Sequence, residues 1–394
     1  MLDKCQFLCY LVSKSVFPLD PQTMLSASAD EWNAIYHEMR NHAIAALPYA
    51  TLTSSPIPDA ELRKKWLRAC VIQQGRWVQV MHAQRLLIKL LEKNAIPCAI
   101  IKGSAAAMAY PHPALRAVGD VDFLVKRRDF DKAAAILEAN GYRLTHDKDA
   151  TRCHYAFEKD GVDFELHRRL PIVREDDETL LALFENGIDI RVWHDIDGFS
   201  FPALPTDLNG LVLLFHINQH LRDGLGLRQI IDWTVYLHQN GNWEELLPMI
   251  RKTGQEKFAR TVTAMCQRYL GLEEIVEESD DLPCDELMAY IMEKGNFGRK
   301  SGQVGKIESV FLDMANPVRI FKRLQRGGVR RWKAAKKHRL LRPFAWLYQI
   351  GSISCELLRD KMTPGKMLRM RQVGLEQREL IRRLGLDVDY SIKR

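Results

Sequence analysis

The stretch Gly119-Asp120-Val121-Asp122-Phe123-Leu124-Val125 restricts the fold of this chain more than any other. Read as a strand, it sends Asp120 and Asp122 to one face and Val121, Phe123 and Val125 to the other. Two carboxylates held side by side repel unless a cation sits between them. A divalent metal answers that demand, and hard oxygen ligands favour Mg²⁺ or Mn²⁺ over zinc. A D-x-D at a solvated strand end has the same spacing, so its neighbours must decide between the two.

Two neighbours favour chemistry. The run Val162–Arg168 alternates, with Val162, Phe164 and Leu166 on one face and Asp163, Glu165 and His167 on the other. Three ionisable groups on one strand face are costly unless that face meets solvent, metal or substrate. Upstream, Ile100-Ile101-Lys102-Gly103-Ser104 runs from a strand into a helix start. A glycine there lets backbone approach a ligand closely, a serine hydroxyl can bond a phosphate oxygen, and helix N-terminal amides favour anions.

The surrounding pattern divides the chain into four regions. Residues 1–92 read as helical, with Trp66, Val71, Trp77, Val80, Met81, Leu86, Leu87, Leu90 and Leu91 at helical spacing after a polar break at Thr51–Pro58. Residues 93–204 read as a mixed α/β core. Its strands are Ile96–Ile101, Val121–Val125, Tyr142–Thr145, His154–Glu158 and Val162–Arg168, with a helix over Asp129–Asn140 and a hairpin at Asp160-Gly161. Residues 205–300 form a helical domain and residues 301–394 a basic helical region. The expected architecture is α+β, a small mixed sheet between helical flanks.

Composition sets wider limits. At 394 residues, 46% hydrophobic and 27% charged, the chain is neither disordered nor fibrous and has room for two or three domains. Eleven of its 57 Lys and Arg lie between Arg319 and Arg342, leaving 46 against 50 Asp and Glu elsewhere. The surplus charge is therefore one segment on a slightly acidic body, not a chain-wide affinity for nucleic acid. The eight cysteines contain no C-x-x-C pair and read as free thiols of a reducing compartment. Met1–Phe17 carries Asp3, Lys4 and Lys14 and reads as a helix rather than a signal peptide. No uncharged apolar run reaches 18 residues, and a cytoplasmic location is expected.

The order Gly-Ser turn, D-x-D strand, acidic strand resembles the DNA polymerase β-like nucleotidyltransferase superfamily. More closely, Lys102-Gly103, Arg116 with Gly119-Asp120-Val121-Asp122, Gly141-Tyr142 and Glu165-Leu166-His167 are similar to the uncharacterised bacterial nucleotidyltransferase family of the type 5 group. The resemblance extends through His216, His220, Arg228 and Asp232 and covers roughly residues 80 to 270. It implies a nucleotidyltransferase fold and a two-metal phosphoryl transfer. Asp120 and Asp122 would bridge Mg²⁺ or Mn²⁺, Glu165 would hold the catalytic metal, and an NMP would pass from an NTP to an unidentified acceptor, releasing pyrophosphate. The acceptor could be a small molecule, a protein or RNA.

The same resemblance puts Lys102, Gly103, Ser104, Arg116 and Gly119 on the nucleotide. Gly103 and Ser104 would hold the outer phosphates, and Lys102 or Arg116 would neutralise them, although Lys102 also reads as a solvated strand-end residue. Asp163 is an alternative third carboxylate, and His167, on the Glu165 face, either supports the metal ligands or orients the acceptor, or is a hydrogen-bonded rim histidine. Ala105-Ala106-Ala107-Met108 stands where better-understood superfamily members carry a second glycine, which implies a weaker or different phosphate grip.

Other features point less sharply. His216 and His220 share a helix face but lack the glutamate of H-E-x-x-H, so a structural pair bonded to Asp232 is favoured over a metal site. Arg228 and Asp232, four apart, read as an ion pair. Arg319–Arg342, with its interleaved Phe321 and Trp332, reads as a solvated face or as a contact for an anionic surface, membrane or RNA. The rival functions are thus an inactive fold member serving as a binding module, or an RNA- or membrane-surface regulator.

Overall fold

The computed structural model describes residues 4–17, 27–49, 52, 57, 59–145, 153–222, 224–240, 242–300, 321, 324, 325, 327–329, 331–359 and 364–386. These fall into two compact units. One comprises the described residues up to Lys300 with Leu384–Leu386, and the other those from residue 321 to Arg383.

The first unit opens with three helices, α1 (Lys4–Val16), α2 (Ala29–Asn41) and α3 (Ala60–Lys93). Helix α2 starts at a capping box, in which Ser28 and Glu31 satisfy each other's backbone N–H groups. Asp59 caps α3 by accepting from Glu61 N at 2.8 Å. Apart from residues 52 and 57, the expected break at Thr51–Pro58 lies outside the described residues up to Pro58. Of the expected apolar stripe, Trp66, Trp77, Val80, Met81, Leu87 and Leu91 are buried, whereas Val71 and Leu86 face outward. A 34-residue helix drifts around its own axis, so only part of a stripe can meet one sheet.

A seven-stranded mixed sheet follows, in the order β3-β4-β5-β2-β1-β7-β6. Its strands are β1 (Cys98–Ile101), β2 (Asp120–Val125), β3 (Arg143–Leu144), β4 (His154–Lys159), β5 (Val162–His167), β6 (Val192–Ile196) and β7 (Phe199–Ala203). The helices within this region are α4 (Gly103–Ala107), α5 (Phe130–Ala139) and α6 (Glu178–Asp189). β2 pairs parallel with β5 and antiparallel with β1. The sequence reading stops two strands short. β6 and β7 form a second hairpin at Asp197-Gly198, whose φ values of 53° and 81° match the 52° and 74° of Asp160-Gly161. Positive φ at both central residues is what a two-residue turn needs to follow the strand twist.

One sheet face carries Val121, Phe123, Val125, Phe157, Phe164 and Leu166 into a core closed by Trp77, Val80, Leu87 and Leu91 of α3 and Phe130, Ala133 and Leu137 of α5. Phe123 and Phe164 are at most 1% exposed, and burying each contributes about 1.5–3 kcal/mol. That burial fixes the register and so commits the acidic residues to the opposite face. Four helices then pack on, α7 (Thr206–His220), α8 (Leu227–Asn240), α9 (Trp243–Lys252) and α10 (Glu256–Leu270), followed by α11 (Cys284–Lys294).

His42, just past α2, ties the N-terminal helices to α8, because its Nδ1 accepts from Leu227 N at 3.2 Å. It is fully buried, and burial, against the opposing charge of Glu38 and aided by Lys300 and Lys4, drops it from 6.5 to about 4. The unfolded chain therefore takes up a proton that the folded chain refuses. Stability is complete above pH 6.5 and falls between there and pH 4, by about 3 kcal/mol at about 1.4 kcal/mol per pH unit. Urea unfolding at pH 7 and pH 4.5 is expected to show a smaller pH-dependent loss in His42→Asn than in the wild type.

The second unit contains α12 (Lys333–Lys337), a 3₁₀ turn at Arg339–Phe344, α13 (Ala345–Arg359) and α14 (Pro364–Arg383). Trp332 stacks on Tyr348 with centroids 5.4 Å apart. Arg331, Lys337, Arg339 and Arg342 of the basic segment are exposed, while Arg319, Lys322, Arg323, Arg326 and Arg330 lie outside the described residues. None of the eight cysteines is in a disulfide, and no helix among the described residues is long and apolar enough to cross a membrane.

Candidate active site

Strand register assembles the site. Asp120 lies opposite Asp163, Asp122 opposite Glu165, and Leu124 opposite His167, while β4 sets His154 opposite His167. Partners in register share a face, so Asp120, Asp122, Asp163, Glu165, His167 and His154 all occupy the face away from α3. Arg76 of α3 pins both strands at their starts, donating to the Gly119 carbonyl at 2.5 Å and the Gly161 carbonyl at 2.8 Å.

The turn after β1 supplies the cation. Lys102 holds a φ of 55°, a left-handed conformation that costs a non-glycine residue about 1–3 kcal/mol. Gly103 follows at φ 29°, and a Cβ there would sit 3.7 Å from the Asp120 carbonyl. The strained turn aims Lys102 Nζ at Asp122 Oδ1, 2.7 Å away, with both side chains buried. Lys102 is therefore no solvated strand-end residue. The Ser104 hydroxyl is also buried and donates to Gln84 Oε1 of α3 at 2.8 Å.

The carboxylates differ in electrostatic state. Burial, then the charges of Asp122 and Glu165, pushes Asp120 up to about 6, against the pull of Lys102 and Arg228. Burial opposes ionisation of Asp122 too, but Lys102 and His167 outweigh it and hold that carboxyl well below its ordinary value. Glu165 is also lowered, because the hydrogen bond and charge of His167 overcome burial and Asp122. His167 Nε2 lies 2.9 Å from Asp122 Oδ1 and 3.3 Å from Glu165 Oε2, and these bonds raise it against burial. The histidine is thus not a rim residue. It is fully buried between the two carboxylates.

Helices α7 and α8 bring a second set of groups, paired otherwise than the sequence suggests. Asp232 does not pair with Arg228. Its carboxylate takes Arg116 Nε and Nη2 in a two-pronged bridge, 2.7 Å each, and the Tyr110 hydroxyl at 2.7 Å. Arg116 and Asp232 are at most 2% exposed, so the planar fork wins where a one-turn helical pair would leave both groups half satisfied. Arg228 Nη1 instead donates to the Ala117 carbonyl at 3.1 Å. His216 and His220 bond each other, Nε2 to Nε2 at 2.9 Å, rather than Asp232. Burial, then His220, Lys102 and Arg228, holds His216 well below its ordinary value, so this neutral imidazole stands within reach of the charges of the β1 turn and of α8.

A hard divalent cation fits Asp120 and Asp122. The upward push on Asp120 from two neighbouring carboxylates is the charge excess that such an ion relieves. Lys102 and His167 now meet that need at Asp122. A different donor set stands beside it, since His154, Glu165 and His167 each offer an atom within 4.8 Å of the others. Glu165 belongs to both groupings.

Sheet, turn and paired carboxylates together define a nucleotidyltransferase-type core. The chain belongs to the uncharacterised nucleotidyltransferase family, whose sequence profile matches residues 28–271. Among curated proteins, none matches the chain. Among solved structures, the antibiotic-resistance factor ANT(2'')-Ia is similar over 50% of this chain and 95% of its own, at 14% identity and a TM-score of 0.31. An antigenic nucleotidyltransferase-like protein from Paracoccidioides brasiliensis is similar over 49% of this chain and 92% of its own, at 15% identity and a TM-score of 0.29.

Sequence reasoning missed Arg76, Gln84 and Tyr110. Gln84, a polar residue among apolar neighbours on α3 and 3% exposed, is the one with a legible signal.

Proposed function

We propose that the protein transfers a nucleoside monophosphate from an NTP to an acceptor hydroxyl, releasing pyrophosphate. The observation that carries this reading is the register of Asp122 with Glu165 on parallel strands, facing the strained Lys102-Gly103 turn. Asp120, Asp122 and Glu165 would hold Mg²⁺ or Mn²⁺, which supplies Lewis-acid stabilisation of the entering and leaving oxygens. Glu165, ionised at neutral pH, accepts the proton of the attacking hydroxyl. His167 positions Glu165 and Asp122, and Asp163 stands at the exposed end of the same face. The backbone at Gly103 and Gly119 lies against the donor phosphates, with Lys102 as their neighbouring cation. The Arg116 fork is occupied by Asp232 and the Ser104 hydroxyl by Gln84, so both shape the nucleotide site through those partners. The exposed cations of the second unit, Arg339 and Arg342 among them, are proposed to meet an anionic surface on a partner or acceptor.

The test is incubation with Mg²⁺ and each α-labelled NTP. Label transfer or pyrophosphate release is expected from the wild type and none from Asp120→Ala/Asp122→Ala. Equal behaviour of the two proteins would sink the enzymatic reading and favour a binding module.

A further inference from the structure

Among the described residues Arg228 is a cation of the site that forms no ion pair, although the charges of Asp232 and Asp120 act on it from a distance. Lys102 has Asp122, and Arg116 has Asp232. Among the described residues, no carboxylate pairs with Arg228. The residue is half-buried, with Nη1 on the Ala117 carbonyl and the guanidinium carbon 5.8 Å from the Phe297 ring centroid. Nε is sealed from solvent without a partner, and Nη2 has none among the described residues. Leaving a guanidinium nitrogen buried and unbonded is costly, and a structural arginine would take the carboxylate one turn along its helix. Here that carboxylate, Asp232, is fully engaged by Arg116 and Tyr110. The fork is thus held in place by one carbonyl and one ring, with two of its nitrogens uncommitted.

Its position gives the ligand class. Ala117, which anchors Arg228, lies three residues before Asp120, and the charges of Arg228 and Asp120 act on each other. Lys102 and the neutral His216 complete the surroundings, so two cations and an uncharged imidazole stand beside the carboxylates at this end of the site. A polyanion adjoining the carboxylates meets both needs at once, and a planar fork suits two oxygens of one phosphate. We infer that Arg228 grips the triphosphate of the donor nucleotide, the role that the sequence alone suggests for Arg116 or Lys102. This rests on the nucleotidyl-transfer reading for the identity of the ligand, and on the geometry for the site.

The experiment is calorimetric titration of the full chain with inorganic triphosphate in Mg²⁺, for wild type, Arg228→Met and Arg228→Lys, alongside thermal melting without ligand. Arg228→Met is expected to bind at least tenfold more weakly and Arg228→Lys in between, because lysine keeps the charge but not the fork. The unliganded Arg228→Met protein is expected to melt at or above the wild-type temperature, since it no longer holds an uncommitted cation. Affinity within twofold of wild type would overturn the assignment, as would melting several degrees lower, which marks a structural arginine. Wild type that fails to bind triphosphate overturns it too. If triphosphate binds through Arg228 but no NTP labels an acceptor or releases pyrophosphate, the transfer reading fails and the anion site stands.

Discussion

Asp122→Asn is expected to slow pyrophosphate release roughly 10³-fold, while Asp163→Asn stays within about threefold of wild type. The two residues share a strand face but not an environment. Asp122 is 4% exposed and is held ionised by Lys102 and His167, whereas Asp163 is exposed at the start of β5. Asparagine keeps the shape of Asp122 but removes the charge that a divalent cation requires. It also strands Lys102, a buried ammonium, so a loss of about 3–5 kcal/mol in stability should accompany the loss of activity. Mg²⁺ is expected to raise the melting temperature of wild type and of Asp163→Asn but not of Asp122→Asn. Steady-state pyrophosphate release and melting with and without EDTA check both halves. A severe defect in Asp163→Asn with a mild one in Glu165→Gln would move the third carboxylate to Asp163.

Asp232→Ala should cost about 3–5 kcal/mol of stability, the range for removing one partner of a buried ion pair. The Arg116 fork and the Tyr110 hydroxyl both lose their acceptor, and neither reaches water, since they are 2% and 4% exposed. Arg116→Met/Asp232→Leu removes both charges together and is expected to cost only about 1–2 kcal/mol, mostly from the stranded Tyr110 hydroxyl. Urea unfolding of wild type, the single and the double variant gives the comparison. A double variant as damaged as the single would mean that local packing, not charge, sets the cost.

Much of the site was legible in the sequence because it is written in local periods. Alternation along β2 and β5 assigns Asp120, Asp122, Glu165 and His167 to one face without any knowledge of the partner strand, and the structure places them there. What the sequence withheld is non-local. Arg116 and Asp232 are separated by more than 100 positions, and the nearest helical neighbour, Arg228, was the natural but mistaken partner. The Ser104 bond to Gln84 hides in the same way, since a buried serine and a phosphate-binding one look alike in sequence. The β6–β7 hairpin is a different case. Asp197-Gly198 carries the same turn signal as Asp160-Gly161, but Val192–Ile196 offers little apolar alternation to mark a strand, and Val192, Trp193 and Asp195 are exposed.

The parallel pairing of β2 with β5 has a kinetic consequence. Residues 126–161 lie between the two strands, so a large loop must close before Asp122 meets Glu165. Hairpins β4–β5 and β6–β7 can zip locally at their Asp-Gly turns, but the carboxylate face cannot exist until the chain has crossed over. Closing it also brings like charges together, so the carboxylate face is assembled late and against repulsion, with Lys102 as its internal counterion. Refolding should accordingly be slower at low ionic strength and faster with added divalent cation.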